Sequence, residues 1–359
     1  MHDDCNISSW GGGPPVFDAT TSKWVLFVSE MADNCGLSVW QHMSTIVKTT
    51  SAVGPEGPYV RDSLVVPAES HNAYYVQDPR SKMHLIYHVG TGDNGTGAPW
   101  PWVRNCTNGT TPAAGPEISS AGHGGESPPP PPAMIRSESH NQRVHIDGAP
   151  EIHASPSLNG PWERVHVDGE PYGVWPRGAS NPAPFIFRNG SVLALFRVYN
   201  NSAYPASHRP RATSRIFAMR APSYKGPYTV TGETFHPPGY PAFNASAVTH
   251  VMEEDPCIWR DARGNFHSLT HFTHGHGFSG DGTTWHWSST AAWKTTLKLS
   301  NGSVVPIRDS ERPRVWVNPK SGLPELIAGF EVLYEEQDFR RYQSGQPTVF
   351  SGAYIINVP

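Results

Sequence analysis

The stretch EEDPCIWRDARGNFHSLTHFTH, Glu253 to His274, decides how the rest of the chain is read. Two carboxylates and a proline precede a short apolar run. A polar turn, DARGN, separates that run from a second one, which ends among histidines. Strand, turn, strand is the pattern of a β-hairpin, because Asp, Asn and Gly supply the backbone conformations that a tight turn needs. The segment is either one hairpin among many or an active-site segment, and its recurrence bears on both.

It does recur. GGGPPVFDATTSKWVLFVSEM begins at Gly11, SHNAYYVQDPRSKMHLIYHVG at Ser70, SNPAPFIFRNGSVLALFRVYN at Ser180 and SERPRVWVNPKSGLPELIAGFEV at Ser310. A second element follows in several copies. TIVKTTSAVGPEGPYV ends at Val60, EIHASPSLNGPWERV at Val165 and IFAMRAPSYKGPYTV at Val230. Each is a strand, a turn with Gly-Pro-aromatic, and another strand. Units of four strands repeated five times predict an all-β fold, a five-bladed β-propeller with four antiparallel strands per blade. Blades cannot stand alone, so residues 1–359 read as one domain, with blades starting near 11, 70, 180, 253 and 310. The second unit carries an insertion near 91–141, which includes five consecutive prolines, Pro128 to Pro132. Such a segment suits an exposed loop, partly polyproline II.

Composition agrees. Pro 36 and Gly 34 in 359 residues leave little room for long helices. The net charge of −4 gives no electrostatic case for nucleic acid. There is no phosphate-binding loop, and apolar runs such as Trp24 to Val28 are far too short to span a bilayer.

Sequons occur at Asn6, Asn94, Asn105, Asn108, Asn189, Asn200, Asn244 and Asn301. So many in one chain point to a glycosylated, secreted eukaryotic protein. Met1 is followed by polar HDDCN, as it would be after removal of a leader. Cys5, Cys35, Cys106 and Cys257 allow two disulfides in three pairings, and the sequence does not choose among them. No C-x-x-C spacing suggests a cysteine zinc site.

In a propeller the first strand of each blade lines the central channel. Aligning the five turns stacks Gly11 and Gly12, His71 and Asn72, Asn181 and Pro182, Glu254 and Asp255, and Glu311 and Arg312 at one face. The ends of the second strands return there as Glu30, His88, Arg197, His271 and Glu331. Apolar residues would be expected at buried strand ends. A funnel of carboxylates, imidazoles and guanidiniums suits glycoside hydrolysis, where one carboxyl protonates the leaving oxygen and another activates water or attacks. The same polar groups could also simply hold the blades together.

At these residues the chain resembles the five-bladed propeller glycoside hydrolases, family 43 and its relatives, among them arabinanases, xylosidases, galactanases and invertases. The resemblance implies that Glu254, in Glu254-Asp255-Pro256, is the general acid. It also implies an Asp base at the head of the first blade and an Asp in the third. Here those places read Gly11-Gly12-Gly13-Pro14 and Asn181-Pro182. Either the chain uses other acids, for which Glu30, Asp255, Glu311 and Glu331 are available, or it binds glycans without cleaving them. Some galactan-cleaving relatives also have a glycine-rich first head.

The run from His271 to Trp287 holds His271, His274, His276 and His286. Their spacing can supply zinc ligands. Sugar binding, or a channel calcium held through water and one histidine as in the relatives, is the other reading. Carbohydrate is the expected ligand, and His71, Asn72, His88, Asn181, Arg197, His271, His274, His276 and Arg312 are the expected contacts. Trp40, Trp100, Trp102, Trp175 and Tyr334 fall in face loops, where aromatic rings stack on sugar C–H faces.

Overall fold

The computed structural model describes residues 9–32, 40–90, 150–167, 179–200, 213–234, 253–271, 275–288, 292, 296–298 and 302–333. The first sheet comprises β1 (Ser9–Gly12), β2 (Val16–Asp18), β3 (Lys23–Met31), β4 (Ser44–Ser51) and β5 (Val60–Val66), with a short helix α1 (Trp40–Met43) before β4. The second comprises β6 (His71–Gln77), β7 (His84–Val89), β8 (Pro150–Ser155) and β9 (Glu163–Arg164). The third comprises β10 (Ala179–Ile186), β11 (Val192–Asn200), β12 (Thr213–Ala221) and β13 (Thr229–Glu233). The fourth comprises β14 (Cys257–Arg260), β15 (Phe266–Leu269), β16 (His276–Ser279) and β17 (His286–Trp287). The last comprises β18 (Thr296–Lys298), β19 (Val304–Val317) and β20 (Pro324–Leu333).

This is an all-β propeller. Neighbouring strands are antiparallel, and β1, β6, β10, β14 and β19 adjoin in that order, with β19 returning to β1. The expected five four-stranded blades are met by four sheets. The fifth sheet has three strands among the described residues. The insertion near 91–141 lies outside them.

Because sheets stack face to face around the axis, both faces of a middle strand are buried. Its sequence is then continuously apolar rather than alternating. Val192 to Phe196 in β11 is such a run, with every side chain buried. One core joins the second, third and fourth sheets to Val315 of β19, and a smaller one around Phe27, Ile46 and Tyr75 joins the first two. Ile216, fully buried in the larger core, should lose about 1 kcal/mol on replacement by valine. Urea denaturation measures this, and an unchanged midpoint would place Ile216 in a looser region than its burial indicates.

The turns repeat as well. Gly57, Gly160 and Gly226 each donate to the carbonyl three residues back, at 3.1, 3.1 and 3.0 Å, with φ of 88°, 86° and 88°. Only glycine takes that conformation cheaply, which explains the Gly-Pro-aromatic signature.

The feature that positions the funnel is a bulge at the head of each inner strand. His71 pairs with Val89 but Tyr74 with Tyr87; Ser180 pairs with Arg197 but Ala183 with Leu195; Glu311 pairs with Phe330 but Arg314 with Ala328. In the fourth sheet the Glu254 carbonyl accepts the His271 N–H at 3.0 Å, and the ladder resumes at Cys257 and Leu269. Each bulge contains one left-handed residue: Asn72 (φ 57°), Asn181 (50°), Asp255 (52°) and Arg312 (53°), with Gly11 (66°) in the first sheet. Asn and Asp tolerate this region because their short side chains bond locally; arginine does not, at a cost of about 1–2 kcal/mol.

The bulges correct the sequence alignment by one residue in places. Gly11 and Asn181 are the counterparts of Asp255, not of Glu254. Across the ladder, Ser29, Val89, Arg197, His271 and Phe330 face the heads. Glu30 and His88 each stand one position from that row, and a one-residue step sends a side chain to the opposite face of the sheet; Glu331 is likewise one position away in the ladder.

Cys257 also departs from expectation. It is a free, fully buried thiol, raised to about 11 by burial, so it takes no part in a disulfide. Cys5, Cys35 and Cys106 lie outside the described residues. Among the described residues no helix is long and apolar enough to cross a membrane.

Candidate functional site

The segment Glu253 to His271 forms two inner strands of the fourth sheet, joined by a turn in which Gly264 N–H donates to the Asp261 carbonyl at 3.0 Å. A hairpin brings its open ends together, so Glu254, Asp255 and His271 meet at the far end from that turn.

Asp255 is the hub. Its side chain is 1% exposed, and its Oδ1 accepts from Asn181 Nδ2 at 2.7 Å and from Asn72 Nδ2 at 3.2 Å, with Arg312 Nε 3.8 Å away. Residues from the heads of four inner strands thus converge on one oxygen through their bulge conformation. Asn72 is held in turn. Its N–H donates to Ser29 Oγ at 2.8 Å, and its Oδ1 accepts from Arg314 Nη2 at 2.9 Å. Arg314 is buried below, stacked over the Tyr74 ring and donating to the carbonyls of Pro256 and Pro313.

Two further carboxyls reach the funnel. Glu254 Oε2 is paired with Arg197 Nη1, and its Oε1 is 3.3 Å from His271 Nδ1. Burial alone would raise its pKa. The charges of Arg197, His271 and Arg312, with a hydrogen bond from His271, prevail and hold it at about 2. Glu311 accepts from Arg312 Nη1 at 3.1 Å. Burial dominates there, aided by the negative charges of Asp255 and Glu254, and lifts Glu311 to about 7 against the pull of Arg312 and His271. The two carboxyls of one funnel are therefore shifted in opposite directions, Glu254 being ionised at neutral pH and Glu311 poised there between its two forms. The resemblance implies Glu254 as the general acid; its pKa is shifted in the direction opposite to the one an acid needs.

His71 orients Arg312. Arginine can only donate, so its Nη2 gives a bond of 3.0 Å to His71 Nε2, and Nδ1 carries the proton toward Ser44 Oγ at 2.8 Å. Burial first, and Arg312 second, push its pKa well below the ordinary value. Trp40 stacks on this ring with centroids 4.7 Å apart.

The absent first-blade carboxylate has a steric cause. A Cβ at Gly11 would lie 2.4 Å from Arg312 Cδ. The arginine occupies the space that an aspartate there would need.

Several expected site residues lie elsewhere. Glu30 pairs with Arg61 at 2.8 Å across its own sheet. His88 Nε2 bonds His153 Nδ1 at 2.8 Å, and burial drives the pKa of both imidazoles down. His276 bonds His267 at 3.0 Å, and His267 reaches Asp261 at the turn. Glu331 pairs with Ser310 in the ladder, and its side chain lies outside the described residues. So do His274, Trp100, Trp102, Trp175, Tyr334 and the sequons Asn6, Asn94, Asn105, Asn108, Asn244 and Asn301. Asn200 lies in β11, with its side chain likewise undescribed, and Asn189 is exposed on a turn. Sequence reasoning missed Arg314. The one signal was a cation inside the apolar run PRVWV of an inner strand.

The Glu254, Asp255 and His271 ligand atoms lie within 4.8 Å of one another. Calcium wants six to eight oxygens at roughly 2.3–2.6 Å. With Asp255 Oδ1 and Glu254 Oε2 engaged by donors, only two carboxylate oxygens and a nitrogen face each other. That donor set does not form a calcium cage built from protein ligands alone.

No family model matches the chain, and no curated protein does. Solved structures do. A family 117 glycoside hydrolase of Zobellia galactanivorans is 10% identical, with a TM-score of 0.51 over 92% of this chain and 81% of that one. An endo-arabinase of Bacteroides thetaiotaomicron is 12% identical, with a TM-score of 0.50 over 90% of this chain and 89% of that one. At such identities the likeness concerns the fold: this chain is built as the propeller glycoside hydrolases are.

Proposed function

We propose that the chain is a secreted glycoside hydrolase acting on plant, algal or fungal polysaccharide or oligosaccharide, with the three-stranded sheet as its fifth blade. The observation that carries this is the convergence of Glu254 and Glu311 at adjoining blade heads, each gripped by its own arginine. In the reaction the protonated Glu311 carboxyl gives its proton to the glycosidic oxygen as the anomeric C–O bond breaks. Ionised Glu254, steadied by Arg197 and His271, takes a proton from the attacking water, or attacks the anomeric carbon itself, after which water cleaves the glycosyl ester and gives its proton to the ionised Glu311. Asp255 remains buried behind them and keeps the negative field that holds the Glu311 proton. Trp40 offers a ring on which a sugar face can rest.

The test is incubation with arabinan, xylan and galactan oligosaccharides, followed by reducing-sugar release. Turnover that disappears in Glu254→Gln supports the reading. A second reading, a glycan-binding protein without turnover, is favoured by the missing carboxylate at Gly11. Binding on a glycan array with every ligand recovered intact would select it.

A further inference from the structure

We infer that Glu254, Asp255 and His271 form a binding site for a small divalent transition-metal ion, zinc being the natural probe. Each carboxylate has one oxygen engaged by donors from outside the trio: Asp255 Oδ1 by the amides of Asn72 and Asn181, and Glu254 Oε2 by Arg197. The remaining oxygens point inward. Glu254 Oε1 is 3.3 Å and Asp255 Oδ2 3.6 Å from His271 Nδ1. Asp255 Oδ2 accepts no hydrogen bond although its residue is 1% exposed. The 3.3 Å separation is the hydrogen-bonded contact that also lowers the Glu254 pKa, and the 3.6 Å one is too long for a hydrogen bond. Two of the three separations suit ligands on one ion, because two bonds of about 2.0–2.2 Å at a tetrahedral angle put the donors about 3.3–3.6 Å apart, and all three ligand atoms lie within 4.8 Å of one another.

The chemistry is consistent with this. One imidazole nitrogen and two carboxylate oxygens match zinc. The amides and Arg197 then serve as the outer partners that orient ligating carboxylates. Three protein ligands leave a fourth position on a tetrahedral ion for water. If Glu254 acts in hydrolysis as proposed above, zinc on its Oε1 blocks that role, and the metal is an inhibitor rather than a cofactor.

Titrating metal-free protein with zinc chloride by calorimetry tests the site independently of turnover. One zinc per chain is expected, with affinity lowered about tenfold or more in His271→Ala, and no comparable heat from calcium chloride. X-ray absorption at the zinc edge of the wild-type protein should show a single imidazole in an N/O shell, a readout that does not depend on how the variant folds. Absence of stoichiometric binding, binding unchanged in His271→Ala, or a shell with two or more imidazoles would overturn the inference. The last two would move the metal to other histidines. Should the protein bind zinc yet cleave no glycan, the site stands and the hydrolase reading falls. Should it cleave glycans but ignore zinc, the reverse holds.

Discussion

Replacing Glu311 with glutamine should lower kcat by about 10²–10⁴-fold, the usual worth of a positioned proton donor. The amide keeps the shape and the bond from Arg312 but has no acidic proton to give. In the wild-type protein, kcat/KM should fall as pH rises through about 7, where Glu311 ionises, and hold steady on the acid side until near the much lower value of Glu254. Glu254→Gln should cost a similar factor by removing the ionised partner. Stability should follow the same group. The folded-state pKa of Glu311 is raised, so its contribution is complete below the ordinary glutamate pKa and is lost as pH rises toward about 7. In Glu311→Gln that part of the pH dependence should disappear from thermal melts. A pH–rate profile and a melting series on the same two proteins check both statements. Full turnover in Glu311→Gln would remove it from the chemistry.

Arg314→Ala should cost about 3 kcal/mol of folding stability. Four losses coincide. Asn72 Oδ1 and the carbonyls of Pro256 and Pro313 lose their donor in a buried place, at about 1–3 kcal/mol each, and the Tyr74 ring loses a desolvated cation worth about 2. Against these, a charge no longer has to be kept out of water, which offsets part of the sum. The effect should spread to the funnel, because Asn72 is one of the two amides that fix Asp255. Denaturant unfolding gives the loss directly, and a change below about 0.5 kcal/mol, the range of surface substitutions, would mean that water fills the gap and replaces the guanidinium.

The hairpin at Glu253 was readable because turn chemistry and apolar periodicity are local properties. So was the meeting of Glu254 with His271, which follows from any hairpin with its turn at Asp261. The register of the heads was not readable in that way. A bulge inserts one residue without altering composition, and a period-two pattern gives no sign of it. That single step is why Glu30 and His88 leave the axial row while Asn181 joins it beside Asp255. Asn72, Asn181 and Asp255 are types that tolerate left-handed backbone, so their recurrence ahead of each inner strand was a usable signal; Arg312 gave none. The opposite pKa shifts of Glu254 and Glu311 depend on Arg197, far away in sequence, and on depth of burial. Neither can be seen in a short motif.

The close approach of Gly11 and Arg312 links two positions near opposite ends of the chain. Evolution can therefore change neither of them alone without penalty. Any side chain in place of Gly11 collides with the arginine, which is held by His71 and Glu311 and cannot simply swing aside. A shortened residue in place of Arg312 strips Glu311 of its partner before a new acid has arrived. The two sites should therefore be epistatic: a carboxylate in the first sheet and an arginine in the last are alternative solutions to filling the same space. A library that randomises both codons together is expected to recover the substitution Gly11→Asp only in company with a small residue replacing Arg312, whereas single-site libraries at either position should return only the starting pair.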